Sequence, residues 1–278
     1  MNDTPRRPWL WTTVFAIIAV AYLYPIYLVV INSFKGKVFI SSEPFSLPNA
    51  ETFVGWENYI RGIELTDFLW SFVWSLVITL GSAFVILLFT SMAAWWIVRM
   101  DNRYAKSLYV TFIFNLVVPF QMVMFTLSWL ADYLGLTTPW GLWVIYLGFG
   151  AGLAVFIFTG FVKGIPYEIE EAATIDGCGP VRTFFLVVMP IMKPAVVTVA
   201  ILEVMWLWND YLLPYLTLDL KSYKTIPIAV QYLRGGYGSI DIGAMMGVLV
   251  LAMIPVIVFY LFSQKQIIRG VVAGAVKG

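Results

Sequence analysis

Histidine is absent from this chain, and cysteine occurs once, at Cys178. Without imidazole there is no histidine proton relay and no imidazole metal ligand, and one thiol cannot make an intramolecular disulfide or a cysteine-ligated zinc site. A G-x-x-x-x-G-K-[ST] phosphate loop is also missing, because Gly36-Lys37 is followed by Val38 and has no upstream glycine. We therefore expect no catalytic centre, metal or cofactor in this chain.

Charge is scarce as well, at 12% of residues against 61% hydrophobic residues, with a formal net charge of +1. A soluble domain carries about a quarter charged residues, and a net charge near zero gives no bulk attraction to nucleic acid. The uncharged runs are long, and they cover 9–31, 68–98, 107–131, 133–162 and 242–264. Each exceeds the about 20 helical residues that cross a bilayer core. The composition predicts an all-α, multi-pass protein whose solvent is the lipid bilayer.

Six spanning helices are predicted from these runs, at 9–31, 69–97, 107–127, 140–162, 193–213 and 242–263. The first run is too long for the apolar core of a signal peptide, so we expect it to remain as an anchor. Lys and Arg are more numerous in the segments that an N-terminus in the cytoplasm would leave inside. These are Arg6, Arg7, Arg99, Arg103, Lys106, Lys163, Arg182, Lys193, Lys265, Arg269 and Lys277. The bias predicts that both termini are cytoplasmic.

The longest predicted cytoplasmic stretch, 163–193, contains two short helical patterns. The first starts after Pro166, has acidic residues in its first turn and ends at Gly177, which we expect to form a left-handed turn. The second is predicted to begin at Pro180 and to stop at Pro190. From the residues alone, this stretch is either a plain connection between spans or a stiff element that docks on a soluble partner.

A resemblance favours the docking alternative. Glu171-Ala172-Ala173, three residues, Gly177, nine residues and then Val187-x-Met189-Pro190 resembles the EAA loop of ABC-importer permeases, whose pattern is E-A-A-x3-G-x9-I-x-L-P. Val and Met stand here in place of Ile and Leu. Trp208-Asn209-Asp210-Tyr211-Leu212-Leu213-Pro214 is similar to the fifth-helix signature of carbohydrate permeases. The tail from Arg269 resembles that of the maltose-type second permease subunit.

This resemblance implies a type I ABC importer permease in the cell (inner) membrane, and it implies partners. They would be a homologous second permease, two ATPase subunits that bind the ATP and Mg, and an extracytoplasmic sugar-binding protein. The implied organisation is an anchor helix and outer loop at 1–68, a permease core at 69–264 that contains the EAA loop, and a cytoplasmic tail at 265–278. The implied activity is import of a sugar or oligosaccharide by alternating access, with no enzyme chemistry in this chain.

The resemblance assigns coupling to the ATPase to one set of residues, namely Glu168, Glu171, Ala172, Ala173, Asp176, Gly177 and Pro190. In such a loop the alanines would allow close approach, and Glu171 would offer a carboxylate to the partner. The outer segment 214–241 matches a loop that reaches into the binding protein in the maltose-type family. We therefore expect contact with that protein at Gly235, Gly236, Tyr237 and Gly238.

Polar residues in the fifth predicted span form the remaining candidate site. Ionisable groups at membrane depth are costly and face a cavity or a partner. Glu203 and Asp210 are seven residues apart, so a helix would place both on one face. We predict that Glu203, Asn209 and Asp210 line or gate the pathway. The alternatives are a structural polar clamp for Glu203 and a helix cap for Asn209 and Asp210.

Two competing functions remain at this stage. One is an ABC permease for a solute other than sugar, which the fifth-helix and tail signatures disfavour. The other is a secondary transporter that works alone, which would have no need of a docking loop.

Overall fold

The computed structural model describes residues 8–100, 102–233 and 241–275, and every regular element in those ranges is helical. The helices before the docking stretch are α1 Pro8–Asn32, α2 Lys37–Ser42, α3 Glu57–Thr66, α4 Phe68–Arg99, α5 Arg103–Asn115, α6 Phe120–Tyr133 and α7 Pro139–Val162. Those that follow are α8 Glu168–Ile175, α9 Pro180–Thr183, a π-helical turn at Phe184–Val188, α10 Met189–Ile191, α11 Lys193–Asn209, α12 Leu212–Thr217, α13 Ile226–Tyr232 and α14 Ile242–Ala275.

Four helices of the described residues are long and apolar enough to cross a membrane alone. They are α1, α4, α7 and α14. Two bent pairs, α5 with α6 and the Pro180–Ile191 segment with α11, bring the number of spans to the predicted six if each pair crosses once. The all-helical, multi-pass class is confirmed.

The third predicted span, 107–127, is not one continuous helix. It breaks after α5, and α6 turns by 102° relative to α5. The cause is Pro119, which stands in extended conformation immediately before α6. Proline has no backbone N–H to donate, and its ring disfavours helical geometry at the preceding residue.

The fifth predicted span, 193–213, also ends early. Helix α11 stops at Asn209, and Asp210 is extended with φ −72° and ψ 124°. A helix continuing through Pro214 would bring the proline ring against the carbonyl group of Asp210. The chain instead starts a new short helix, α12, which includes Pro214 in its first turn.

The chain divides into two packed units, Met1–Leu69 with Ala229–Val256, and Trp70–Ile228 with Ile257–Gly278. The predicted organisation, with boundaries after residues 68 and 264, stays a prediction. Helix α14 runs to Ala275, so the backbone stays helical through most of the predicted tail.

Buried polar contacts organise the N-terminal unit between α1 and α3. Asn58 Nδ2 donates to the carbonyl oxygens of Ser33 and Lys35, both at 2.8 Å. Lys35 is fully buried, and its Nζ donates to the carbonyl oxygen of Glu43 at 2.7 Å. Burial lowers the pKa of Lys35, and the nearby Glu43 carboxylate opposes that shift. The bonds from Asn58 tie α3 to the chain that follows α1.

The second unit is built around α7, which is buried along much of its length. Leu142, Tyr146, Ala154, Phe158 and Val162 on this helix are fully buried and pack into a core with residues of α4 and α11. Close crossing is possible because α7 carries small residues. At Gly152, an added Cβ would lie 2.8 Å from the carbonyl oxygen of Phe112 on α5.

Candidate coupling segment and polar residues of the fifth span

Helix α8 and the turn after it form a short rigid projection. Its first turn contains acidic residues, which suit the positive end of a helix dipole. Gly177 has φ 81°, the left-handed conformation predicted for it. The Cys178 N–H donates to the Ala173 carbonyl at 2.9 Å, and the Gly177 N–H donates to Thr174 at 3.0 Å. This pair of bonds is a Schellman motif, which ends the helix and fixes the direction of the chain.

Most of the residues assigned to coupling lie on the exposed surface of this segment. The exposed ones are Glu168, Glu171, Ala172, Asp176, Gly177 and Pro190. Ala173 differs, because it is 6% exposed and packs within the chain. The small side chain of Ala173 therefore allows close packing inside this protein, while Ala172 remains on the outer surface.

The second half of the segment differs from the expected helix ending at Pro190. Helix α9 passes into a π-helical turn at Phe184–Val188, and Pro190 lies inside α10. The N–H of Met189 bonds to the carbonyl of Phe184, five residues back. A wider turn gives room for a proline ring that would clash with a carbonyl four residues earlier in an α-helix. Pro190 therefore does not end the helix, and the chain bends by 78° between Ile191 and the start of α11.

Glu170 joins this projection to the end of α4. Its Oε1 accepts hydrogen bonds from Arg99 Nε at 2.9 Å and Arg99 Nη2 at 2.6 Å. Its Oε2 accepts one from Trp95 Nε1 at 2.9 Å. Arg99 Nη2 also donates to the carbonyl oxygen of Ile165 at 3.0 Å, and the guanidinium lies 5.6 Å from the ring centroid of Tyr167. A single arginine therefore contacts α8 and the chain that enters it.

This ion pair is largely shielded from water, with side-chain exposures of 17% for Arg99 and 7% for Glu170. Removal of one partner from such a pair leaves an uncompensated buried charge and costs about 3–5 kcal/mol. By comparison, Arg61 pairs with Asp241 at 2.8 Å while Arg61 is 59% exposed. Exposed pairs contribute about 0–1 kcal/mol.

The sequence alone did not single out Arg99 or Glu170. Arg99 counted only as one of the cytoplasmic basic residues, and Glu170 as one acidic residue among three. A helical projection would have placed Glu170 and Ala173 on one face, three residues apart. It could not have identified the partner, because Arg99 lies 71 positions earlier in the chain.

Glu203 lies inside the packing of α4, α7 and α11, with 2% exposure. Its Oε2 has no hydrogen-bond partner among the described residues. A Cβ added to Gly150 of α7 would lie 3.0 Å from that oxygen and 2.6 Å from Ile86 Cδ1. The absence of a side chain at Gly150 therefore provides the room that the carboxyl group occupies.

Asp210 contacts the same helix one turn away. Tyr146 Oη donates to Asp210 Oδ2 at 2.8 Å, and Asp210 Oδ1 accepts the N–H of Leu212 at 3.1 Å. Tyr146 and Gly150 are four residues apart on α7, so Glu203 and Asp210 both face that helix even though α11 ends between them. Asn209 is exposed, and its Nδ2 donates to the carbonyl oxygen of Met205 at 2.7 Å. Asp210 thus stabilises the break between α11 and α12.

Replacement of Tyr146 with Phe removes the donor to Asp210 while keeping the ring in place. We expect Tyr146→Phe to lower the free energy of unfolding by about 1–3 kcal/mol, the cost of leaving an acceptor unpaired. Thermal unfolding of the purified protein in detergent measures this. Tyr104→Phe makes the same chemical change at a ring that is 76% exposed. Equal shifts for the two variants would contradict a structural role for the Tyr146–Asp210 bond.

The expected contact with the binding protein, at Gly235, Gly236, Tyr237 and Gly238, lies outside the described residues. The structure describes the chain on either side of it. Before it, the N–H of Ile226 donates to Ser75 Oγ at 2.8 Å. After it, Asp241 Oδ1 accepts the N–H of Ala244 at 3.1 Å, which starts α14.

The arrangement of spans matches that of a solved importer. A chain from the crystal structure of "a bacterial ABC transporter involved in the import of the acidic polysaccharide alginate" superposes with a TM-score of 0.79, covering 95% of this chain and 99% of that one at 20% identity. At this identity the match shows the shared fold. This chain therefore shares the fold of that transporter chain.

The sequence comparisons identify the family. Residues 86–272 match the family described as "Binding-protein-dependent transport system inner membrane component". Similar proteins include the "Probable starch degradation products transport system permease protein AmyC" of Thermoanaerobacterium thermosulfurigenes, 33% identical over 100% of both chains. Another is the "Multiple sugar-binding transport system permease protein MsmG" of Streptococcus mutans, 34% identical over 100% of both chains. The chain belongs to this family of multi-pass inner-membrane transport subunits.

Proposed function

We propose that this chain is a permease subunit that moves a sugar or oligosaccharide into the cytoplasm by alternating access, driven by a separate ATPase. The observation that carries the proposal is the exposed, Schellman-capped helix α8 in a chain that is similar throughout its length to permeases named for sugar transport. Those names include starch degradation products and, at 30% identity over 96% of both chains, melibiose, raffinose and stachyose.

The chemistry of the α8 surface suits a protein partner. Glu168, Glu171 and Asp176 supply exposed carboxylates, and Ile175 beside them is 86% exposed. An apolar side chain this exposed gains free energy when a partner covers it, and adjacent carboxylates provide acceptors for Arg or backbone donors. We propose that this surface, with Ala172 and Gly177, docks in a cleft of the ATPase on the cytoplasmic side.

The remaining assignments complete the transport cycle. A second, homologous permease forms the pathway with this chain, and two ATPase subunits bind ATP and Mg. Glu203, Asn209 and Asp210 line or gate that pathway, with Glu203 enclosed in the conformation described here. An extracytoplasmic sugar-binding protein contacts Gly235–Gly238. Both termini lie in the cytoplasm.

Affinity purification of the chain from its own membranes tests this proposal. We expect an ATPase and a second permease to co-purify in detergent, and a soluble protein carrying a bound oligosaccharide to be captured after crosslinking. Mass spectrometry identifies the proteins and the glycan. A captured binding protein that holds an amino acid, phosphate or polyamine would contradict sugar import, and the absence of any ATPase would contradict the whole proposal.

A further inference from the structure

The proposed docking helix, α8, must transmit force to a membrane-spanning helix. Its buried contacts with α4 are therefore as important as its exposed surface. Three donors reach Glu170 from α4, and they come from Trp95 and Arg99, which are four residues apart on the same face of that helix. Both carboxylate oxygens of Glu170 are therefore occupied by one helix.

The same two α4 residues also contact the chain on both sides of Glu170. Arg99 donates to the Ile165 carbonyl, in the connection between α7 and α8. The Trp95 ring packs on Phe184, in the π-helical turn, with ring centroids 5.6 Å apart. Phe184 is fully buried. The cytoplasmic end of α4 thus contacts the start, middle and far side of the coupling segment.

We infer that Arg99, acting through Glu170, is a positioning residue that transmits movement of α8 to α4, so that the two helices move as one body during transport. The inference rests on the proposed function, since it assigns a task to the inner face of a helix whose outer face docks on the ATPase. The fork of the guanidinium matters, because two of its nitrogens bond Glu170 while one of them also bonds Ile165.

A single contact between α4 and α8 would not keep α8 in a fixed orientation. Helix α8 has only eight residues and is joined to α7 by the connection 163–167, which contains Gly164. A push on its exposed face would rotate it about that connection unless its inner face were held. Bonds from Arg99 and Trp95 hold the helix at Glu170, in its first turn, while the Schellman motif fixes its last turn.

The test measures coupling in the complete assembly reconstituted in lipid vesicles with its ATPase and binding protein. The variants are Arg99→Gln, Glu170→Gln, the double variant and Arg99→Lys. The readout is the number of solute molecules taken up per ATP hydrolysed, with radiolabelled maltotetraose and raffinose as probes. We expect each single variant to retain the ATPase on purification and to hydrolyse ATP, while solute per ATP falls about tenfold.

The double variant should transport at least as many solute molecules per ATP as either single variant. Each single change already removes the interaction between Arg99 and Glu170, so the second change has nothing further to remove. Arg99→Lys keeps the charge and should restore part of the ratio. Trp95→Phe removes one hydrogen bond and keeps an aromatic ring against Phe184. It should lower the ratio about threefold, and it tests the inference even if the charge variants do not fold.

Arg61→Gln is the matched control, because it breaks the exposed ion pair with Asp241. The inference is overturned if solute per ATP is unchanged in the Arg99, Glu170 and Trp95 variants, if the two single effects add in the double variant, or if Arg61→Gln lowers the ratio equally. The proposed function fails in a different way, with an unmodified protein that retains no ATPase or transports without ATP.

Discussion

Gly177→Val is expected to abolish most ATP-driven uptake while leaving the protein inserted in the membrane. Gly177 has φ 81°, and a β-branched residue in this conformation costs about 1–2 kcal/mol or more. Space is not the cause, because an added Cβ would have nothing within 4 Å. The strain acts on the Schellman motif alone, so the end of α8 would change direction and the docking surface would be misplaced. We expect uptake to fall about tenfold or more, since about 1.4 kcal/mol corresponds to a factor of ten.

Gly179→Val is the control for this prediction. Gly179 also has open space around it, but its φ of −76° and ψ of 168° are ordinary extended values that suit the residue before a proline. Uptake and membrane content should therefore remain near normal. Equal uptake by the two variants would show that the left-handed turn is not needed, and equal loss would show that the segment tolerates no side chain at either position.

Glu171→Arg is expected to release the ATPase from the purified complex. Glu171 is exposed on α8, and the hydrogen bonds that hold this helix to α4 are made by Glu170 instead. If the carboxylate is buried against a cationic partner, its removal costs about 2–5 kcal/mol, and reversal of its charge adds repulsion. A loss of 2 kcal/mol weakens binding about 30-fold. The amount of ATPase retained after purification in detergent measures the effect.

Glu64→Arg makes the same change of charge at an exposed position of another helix, α3. It should leave ATPase retention unaltered, because α3 lies outside the proposed docking surface. Retention of the ATPase by Glu171→Arg at the normal level would remove Glu171 from the interface. Loss from both variants would indicate a general effect of net charge.

Composition and spacing were sufficient to predict the class of fold. Long uncharged runs set the positions of α1, α4 and α7 to within one or two residues, because the bilayer core fixes the length of a spanning helix. The turn at Gly177 was also predictable, since a glycine after a short capped helix usually adopts φ > 0. Pro119 and Pro214 are visible in the sequence. Hydropathy is averaged over many residues, however, so it does not show the helix breaks that these two prolines cause.

The contacts that organise the candidate site were not predictable in the same way. Glu170 is one of three acidic residues in the first turn of α8, and only the fold brings Arg99 and Trp95 to it. Tyr146 looked like one of many aromatic residues at apolar positions, until its hydroxyl group was placed against Asp210. Pairings between residues more than 60 positions apart depend on which helices cross, and residue spacing and hydropathy do not reveal that.

The most direct test of the account is solute uptake by vesicles that contain this chain, its second permease and its ATPase, with the binding protein outside and ATP inside. Uptake of radiolabelled maltotetraose or raffinose should require ATP hydrolysis and the binding protein, and it should fall about tenfold or more when Gly177→Val is introduced. Accumulation of solute by the membrane subunits without any ATPase would contradict the account.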